Sequence, residues 1–275
     1  MVRRSKEERE KERGVLREVH DLSNRPTIRE IREKIVTVLH TDKEKLAEIL
    51  AANEALYFHP QNSPNATPYS IDMSRCFNGQ DLLWLAPMYT NLIDSLYLPK
   101  EGKENGITLY GPAYKSLGFL STVSLFLEHI KKIPTNFIYD RKEGSQELVG
   151  YIPSSRPIFI LDDVLATGKT KTVVVGKLLQ QCPNADIRGI VVAVDREEAR
   201  EYGTAEGLPA IKCGEHVIPV YAIGMISTIM RGLYTRASKV LVKKDGHESR
   251  EKMDEQLYKV FTDYFEHRPQ GFQNT

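Results

Sequence analysis

The sequence predicts an α/β fold with a mostly parallel central sheet flanked by helices, and three observations carry that prediction. Short apolar runs at Ile107 to Tyr110, Ile158 to Leu161 and Ile190 to Val194 have the length and character of strands buried on both faces. The first two are followed, across a polar turn, by residues with helical spacing, which is the order that βαβ units require. Polar clusters also fall at the carboxyl ends of these runs: Lys115 with its turn, Asp162 to Thr170, and Asp195-Arg196. In an open parallel sheet those ends share one crevice, so the clusters are expected to converge on a single site.

Composition narrows the class. A chain of 275 residues with 41% hydrophobic side chains can bury a sizeable core. Lys and Arg number 38 against 37 Asp and Glu, a formal charge of +1, so no global field favours nucleic acid or an anionic membrane and neither is expected as a partner. Any affinity for phosphate must be local. Cys76, Cys182 and Cys213 form no C-x-x-C pair, which points to packing residues in a reducing compartment. No apolar run approaches the roughly 18 to 20 residues of a membrane span, and the charged N-terminus lacks a signal-peptide core. A soluble, cytoplasmic protein is expected.

Taken in order, residues 1 to about 22 alternate basic and acidic side chains and read as a solvated helix or a disordered arm. Pro26 and Thr27-x-x-Glu30 open a helix with Ile28, Ile31, Ile35, Val38 and Leu39 on one face. Thr41-x-x-Glu44 opens another with Leu46, Ile49 and Leu50. The prolines and asparagines between Ala55 and Phe77 predict a loop, followed by a strand or hairpin near Tyr69 to Met73. A helix from Gly79-Gln80-Asp81 presents Leu82, Leu85, Met88, Tyr89, Leu92 and Ile93. The strand Ile107 to Tyr110 runs into the rigid turn Gly111-Pro112-Ala113-Tyr114-Lys115, whose backbone and ammonium can face an anion. A helix from Leu117 to His129, a strand at Asn136 to Tyr139 and a charged loop over residues 140–147 follow. Val217 to Ile223 reads as the last strand. The tail from Tyr234, with Met253, Leu257, Val260, Phe261 and Tyr264 at helical spacing, reads as a surface helix docking on the core or on a second subunit.

The central stretch is Pro157 to Thr172: a strand, the acids Asp162 and Asp163, the small loop Ala166-Thr167-Gly168-Lys169-Thr170, then a helix with Val173, Val174, Leu178 and Leu179. That order presents backbone N–H groups at a helix N-terminus, where amides and helix dipole can hold a phosphate. A nucleotide P-loop would need glycine where Asp163 stands, which removes that reading. An ordinary strand-to-helix turn with solvated acids is the alternative. For Arg196 the alternative to ligand binding is a salt bridge with Asp195 or a neighbouring glutamate.

The acid pair before a Thr-Gly-x-Thr loop resembles the phosphoribosyl-pyrophosphate signature of the type I phosphoribosyltransferases. Gly111 to Lys115, Asp140 to Glu143, Asp162 to Thr170, Asp195 to Glu197, and Thr67 to Arg75 further resemble, in order and spacing, orotate phosphoribosyltransferase over roughly Lys45 to Met230. The resemblance implies the type I phosphoribosyltransferase fold, with a hood from about residue 45 to 80 over the active site and a core from about 105 to 230. The transferase domain would span 43–233, between helical extensions at 1–42 and 234–275. It implies transfer of phosphoribosyl from phosphoribosyl pyrophosphate (PRPP) to orotate, with Mg²⁺, in a cytoplasmic homodimer. On that basis Lys115, Arg141, Lys142 and Asp163 are the catalytic candidates. Tyr114, Lys115, Asp162, Asp163, Ala166, Thr167, Gly168, Lys169 and Thr170 would bind PRPP. Tyr69, Ile71 and Arg196 would face orotate, and Asp162 and Asp163 would reach the metal through water or through PRPP. The loop after Lys142 departs from the family: Gly144-Ser145-Gln146-Glu147 runs straight into Leu148, without the second lysine, histidine and glycines usual there. A non-catalytic PRPP-binding protein and a transferase for another base therefore stand as alternatives.

Overall fold

The structure is a computed structural model that describes residues 42–59, 66–97, 106–112, 116–141, 148–152, 156–198 and 209–268. The N-terminal helices expected before Thr41, the turn residues Ala113, Tyr114 and Lys115, and Lys142 with the loop that follows it lie outside these residues.

Two sheets organise the described chain. The larger has seven strands in the order β5-β4-β3-β6-β7-β9-β8. Its centre is parallel: β3 (Ile107–Gly111), β4 (Thr135–Asp140), β6 (Ile158–Leu165), β7 (Ile187–Asp195) and β9 (His216–Met225). The short strands β5 (Leu148–Val149) and β8 (Ala210–Cys213) close its two edges antiparallel.

Alternation along the strands splits the core into two layers. Leu109, Phe159, Leu161 and Val191 pack with α1 (Asp42–Ala52), α2 (Gly79–Leu96), α3 (Leu117–Phe126, continued as a π-turn to Lys131) and α5 (Ile226–Thr235). Tyr110, Ile158, Ile160, Ile190 and Val192 face α4 (Lys169–Gln181) through Val174, Val175 and Leu178. Two-sided burial explains why these strands read as unbroken apolar runs. The order of the parallel strands reverses between β3 and β6, the position where open α/β sheets bind ligands.

The smaller sheet includes the strands of the expected hood region, and its composition differs from the sequence expectation. Its four strands run β11-β10-β1-β2. Strands β1 (Leu56–Phe58) and β2 (Tyr69–Ile71) come from the expected region. Strands β10 (Lys239–Lys244) and β11 (His247–Lys252) come from the tail, where a helical extension is expected over 234–275. Parallel pairing of Tyr57 with Leu241 and of Phe58 with Val242 joins the two chain segments. The tail's helical signal is real but starts later, at α6 (Glu255–His267), capped by Asp254 accepting from the Leu257 N–H at 2.9 Å. The three cysteines are free, and no helix among the described residues is long and apolar enough to cross a membrane.

Candidate active site

The tips of β3, β6 and β7 are adjacent because the strands are. Gly111 ends β3, and a Cβ at that position would fall 2.3 Å from Ser116 Oγ, so any other residue would displace Ser116. At the tip of β7 the Arg196 N–H donates to the Leu165 carbonyl at 2.8 Å, tying the two neighbouring turns together.

The acids lie within β6 rather than after it, since the strand continues to Leu165. The alternation that carries Ile158 and Ile160 towards α4 carries Asp162 the same way. There Lys171, in the first turn of α4, forms a buried ion pair with Asp162 Oδ2. Asp162 Oδ1 accepts the Asp163 N–H at 2.8 Å, and the Tyr89 hydroxyl donates to the Asp162 carbonyl at 2.8 Å. Asp162 is thus consumed by the fold. Asp163 uses Oδ1 on the Val164 N–H at 2.7 Å. Burial, and then the neighbouring Asp162 charge, push its pKa up to about 6, against a smaller downward pull from Lys171. Asp163 is the member of the pair suited to meet a ligand.

Gly168 is the residue that turns the chain into α4. Its φ of +87° belongs to the left-handed region, and a Cβ there would fall 2.6 Å from Ile211 Cδ1. It offers no side-chain cap, and the first turn of α4 carries Lys169 and Lys171 with no acid. Lysines at a helix N-terminus oppose the dipole. Asp162 already offsets Lys171, and an anion seated on those N–H groups would offset Lys169. Thr167, Lys169 and Thr170 are exposed around this point, with Ala166 half-buried.

Arg196 sits in a network anchored by its neighbours. Asp195 Oδ1 accepts the Glu197 N–H at 2.7 Å, and Glu197 Oε2 accepts the Ser227 N–H at the start of α5 at 2.8 Å. The guanidinium of Arg196 pairs with Glu198 at 2.7 Å, donates to Thr67 Oγ1 at 3.1 Å and lies 5.0 Å over the Tyr69 ring. The salt bridge weighed from sequence is therefore present, with Glu198 as the partner. Tyr69 is buried against Phe261 and Tyr264 of α6, and burial raises its pKa to about 12. It shelters Arg196 rather than offering an open ring face. Ile71, further along β2, is half-buried. Arg141 is exposed at the end of β4, beside Asp140, whose carboxylate pairs with Lys177 of α4 at 2.9 Å.

No protein-family model matches the chain. A curated orotate phosphoribosyltransferase from Acinetobacter baumannii is 29% identical over 184 residues, 64% of this chain and 79% of that protein. One from Bifidobacterium adolescentis is 25% identical over 197 residues, 67% of this chain and 83% of its own. Among solved structures, Francisella tularensis orotate phosphoribosyltransferase superposes with a TM-score of 0.53 at 23% identity, covering 80% of this chain and 96% of that one. The chain is related to the orotate phosphoribosyltransferases and shares their fold. Leishmania donovani UMP synthase matches 69% of this chain with 37% of its own length, at a TM-score of 0.50 and 20% identity.

Sequence reasoning missed Lys171 and Arg268; it held Thr67 only within the stretch Thr67 to Arg75, Glu198 only as a neighbouring glutamate of Arg196, and Tyr264 only on the docking face of the tail. For Lys171 a signal existed, in the two lysines that flank Thr170 where a helix N-terminus prefers acids. For Tyr264 and Arg268 no local pattern could tell that α6 packs on Tyr69.

Proposed function

We propose that this chain is an orotate phosphoribosyltransferase. It joins C1 of the phosphoribosyl group to N1 of orotate, breaks the C1–O bond to pyrophosphate, and yields orotidine 5′-monophosphate for pyrimidine synthesis. The observation that carries the reading is Asp163, two positions before the end of β6 at Leu165. It lies between the uncapped, lysine-bearing N-terminus of α4 and the Arg196 turn that hydrogen-bonds to Leu165.

Each part of the reaction has a candidate group. The N–H groups from Gly168 to Thr170, with Lys169, take the 5′-phosphate, as helix N-termini hold anions. Asp163 accepts from the ribose hydroxyls and faces the positive charge that grows on the ribose ring as the C1–O bond breaks. Lys115, Arg141 and Lys142 take the pyrophosphate as it leaves, with Tyr114 against PRPP beside them. Arg196 addresses the planar, acceptor-rich edge of orotate, for which a guanidinium fork is suited. Tyr69 and Ile71 supply the hood side of that subsite.

The donor set bears on the metal. Among the described residues no group of three or more His, Cys, Asp or Glu side chains could form a cage, and Asp162 is already paired with Lys171. Asp163 would hold, directly or through water, a Mg²⁺ brought with PRPP. When bound, such an ion neutralises the pyrophosphate. The resemblance further implies a cytoplasmic homodimer.

The test is to mix the protein with orotate, PRPP and Mg²⁺ and follow the loss of orotate absorbance. Turnover that requires PRPP and falls about 100-fold or more in Asp163→Asn is expected, as for loss of one preorganised polar group. Absence of turnover alongside intact PRPP binding would replace this reading with the non-catalytic one, which the Glu198 contact to Arg196 and the short loop after Lys142 favour.

A further inference from the structure

Three buried guanidinium nitrogens near the hood have no hydrogen-bond partner among the described residues: Arg196 Nε, and Arg268 Nε and Nη1. The Tyr69 hydroxyl shares that condition. Buried polar atoms are almost always satisfied, so donors orphaned together call for a common explanation. These donors come from distant parts of the chain, namely the β7 tip, the hood and the end of α6.

The geometry gathers them. Thr67 Oγ1 lies 3.1 Å from Arg196 Nη2 and 3.2 Å from the Tyr264 hydroxyl, so the β7 tip and α6 meet on one threonine. Tyr264 also packs edge-on against Tyr69, centroids 6.3 Å apart, while Arg196 covers the Tyr69 face. Arg268 follows Tyr264 by four residues, and its N–H donates to the Tyr264 carbonyl at 2.9 Å, so both side chains share one face of α6. Its guanidinium is stacked 3.2 Å over the Phe265 ring, which fixes the plane of the fork. The acids in electrostatic reach of Arg268 are Glu197 and Glu198, both on the β7 turn. Glu197 is occupied by the Ser227 N–H, and Glu198 Oε1 is ion-paired with Arg196 but is itself a buried acceptor without a hydrogen bond. Among the described residues, three orphaned guanidinium nitrogens therefore share this one orphaned carboxylate oxygen.

We propose that Arg268, carried by α6, is a second guanidinium of the base subsite, which grips the carboxylate of the pyrimidine together with Arg196. The proposal rests on the orotate reading and deepens it. The tail is then a working part of the site: it delivers a specificity-determining residue that the strand-tip turns do not provide. A flat ligand with a carboxylate and carbonyl oxygens on one edge satisfies several orphaned donors at once. A base without the carboxylate leaves them unpaired, and a site built this way discriminates strongly against such an analogue.

The experiment compares binding of orotidine 5′-monophosphate with uridine 5′-monophosphate, which lacks the carboxylate, to the full chain by calorimetry. Wild type is expected to prefer the carboxylated nucleotide. Arg268→Gln should reduce that preference about 10- to 100-fold, the worth of one charge-assisted contact, with affinity for uridine 5′-monophosphate and the KM for PRPP unchanged. Arg268→Lys, which keeps the charge and guards against a folding defect, should restore part of the preference. Loss of both affinities together, or no change in either variant, would overturn the proposal and leave Arg268 a helix-end packing residue. Wild type that binds uridine 5′-monophosphate as well as its carboxylated form would overturn the orotate reading itself.

Discussion

Asp162 and Asp163 look equivalent in the sequence and have different jobs in the structure. Asp162 is buried and paired with Lys171, and the remaining carboxylate oxygen caps the next backbone N–H. Removing one partner of a buried pair leaves an uncompensated charge, so Lys171→Met should lower stability by about 3 kcal/mol or more in urea unfolding. The double variant with Asp162→Asn should recover much of that loss. Asp163 behaves in the opposite sense. Its pKa rises from 3.8 to about 6 on folding, so the native state binds more protons than the unfolded chain between those values. The penalty is absent below the lower value and complete above the upper one. Asp163→Asn should therefore raise the melting temperature at pH 7.5 and have no such effect below pH 3.8, while lowering turnover about 100-fold or more. The same titration should weaken PRPP binding as pH falls through about 6, and Lys171→Met should move that acid limb to higher pH.

At the scale of elements, what was legible in the sequence was whatever local chemistry determines. The buried strands β3, β6 and β7 announced themselves because burial on both faces leaves only apolar side chains. The loop that opens α4 did so because the left-handed turn demands Gly168. Gly168→Ala would combine a φ of +87° with a Cβ 2.6 Å from Ile211. It should cost about 1–2 kcal/mol in stability and raise the KM for PRPP without a matching effect on the base. The hood was only half legible. Asp245-Gly246, with φ of 51° and 79°, is a hairpin turn that the sequence does signal, and its flanks are β10 and β11. The alternation there is weak, because β11 is exposed along its whole length. That β10 pairs with β1, nearly two hundred residues earlier, is a long-range fact that no window of the sequence contains.

For the molecule as a whole, the tail and the hood are one structure. Phe261 and Met253 are buried in the same core cluster as Leu56, Phe58 and Tyr69. Truncation after Thr235 should therefore remove half of the hood strands and expose that cluster, giving an unstable or aggregating protein instead of a trimmed, active one; thermal melts and size-exclusion chromatography would report it. The central claim is that turns at the ends of neighbouring strands, closed over by the hood, cup one phosphorylated sugar and its base. A crystal structure with orotidine 5′-monophosphate tests it most directly. The account predicts the phosphate on the N–H groups from Gly168 to Thr170, the ribose hydroxyls on Asp163, and the base edge at Arg196. Nucleotide bound away from the tips of β6 and β7, or bound there with Asp163 turned away from the sugar, would contradict it.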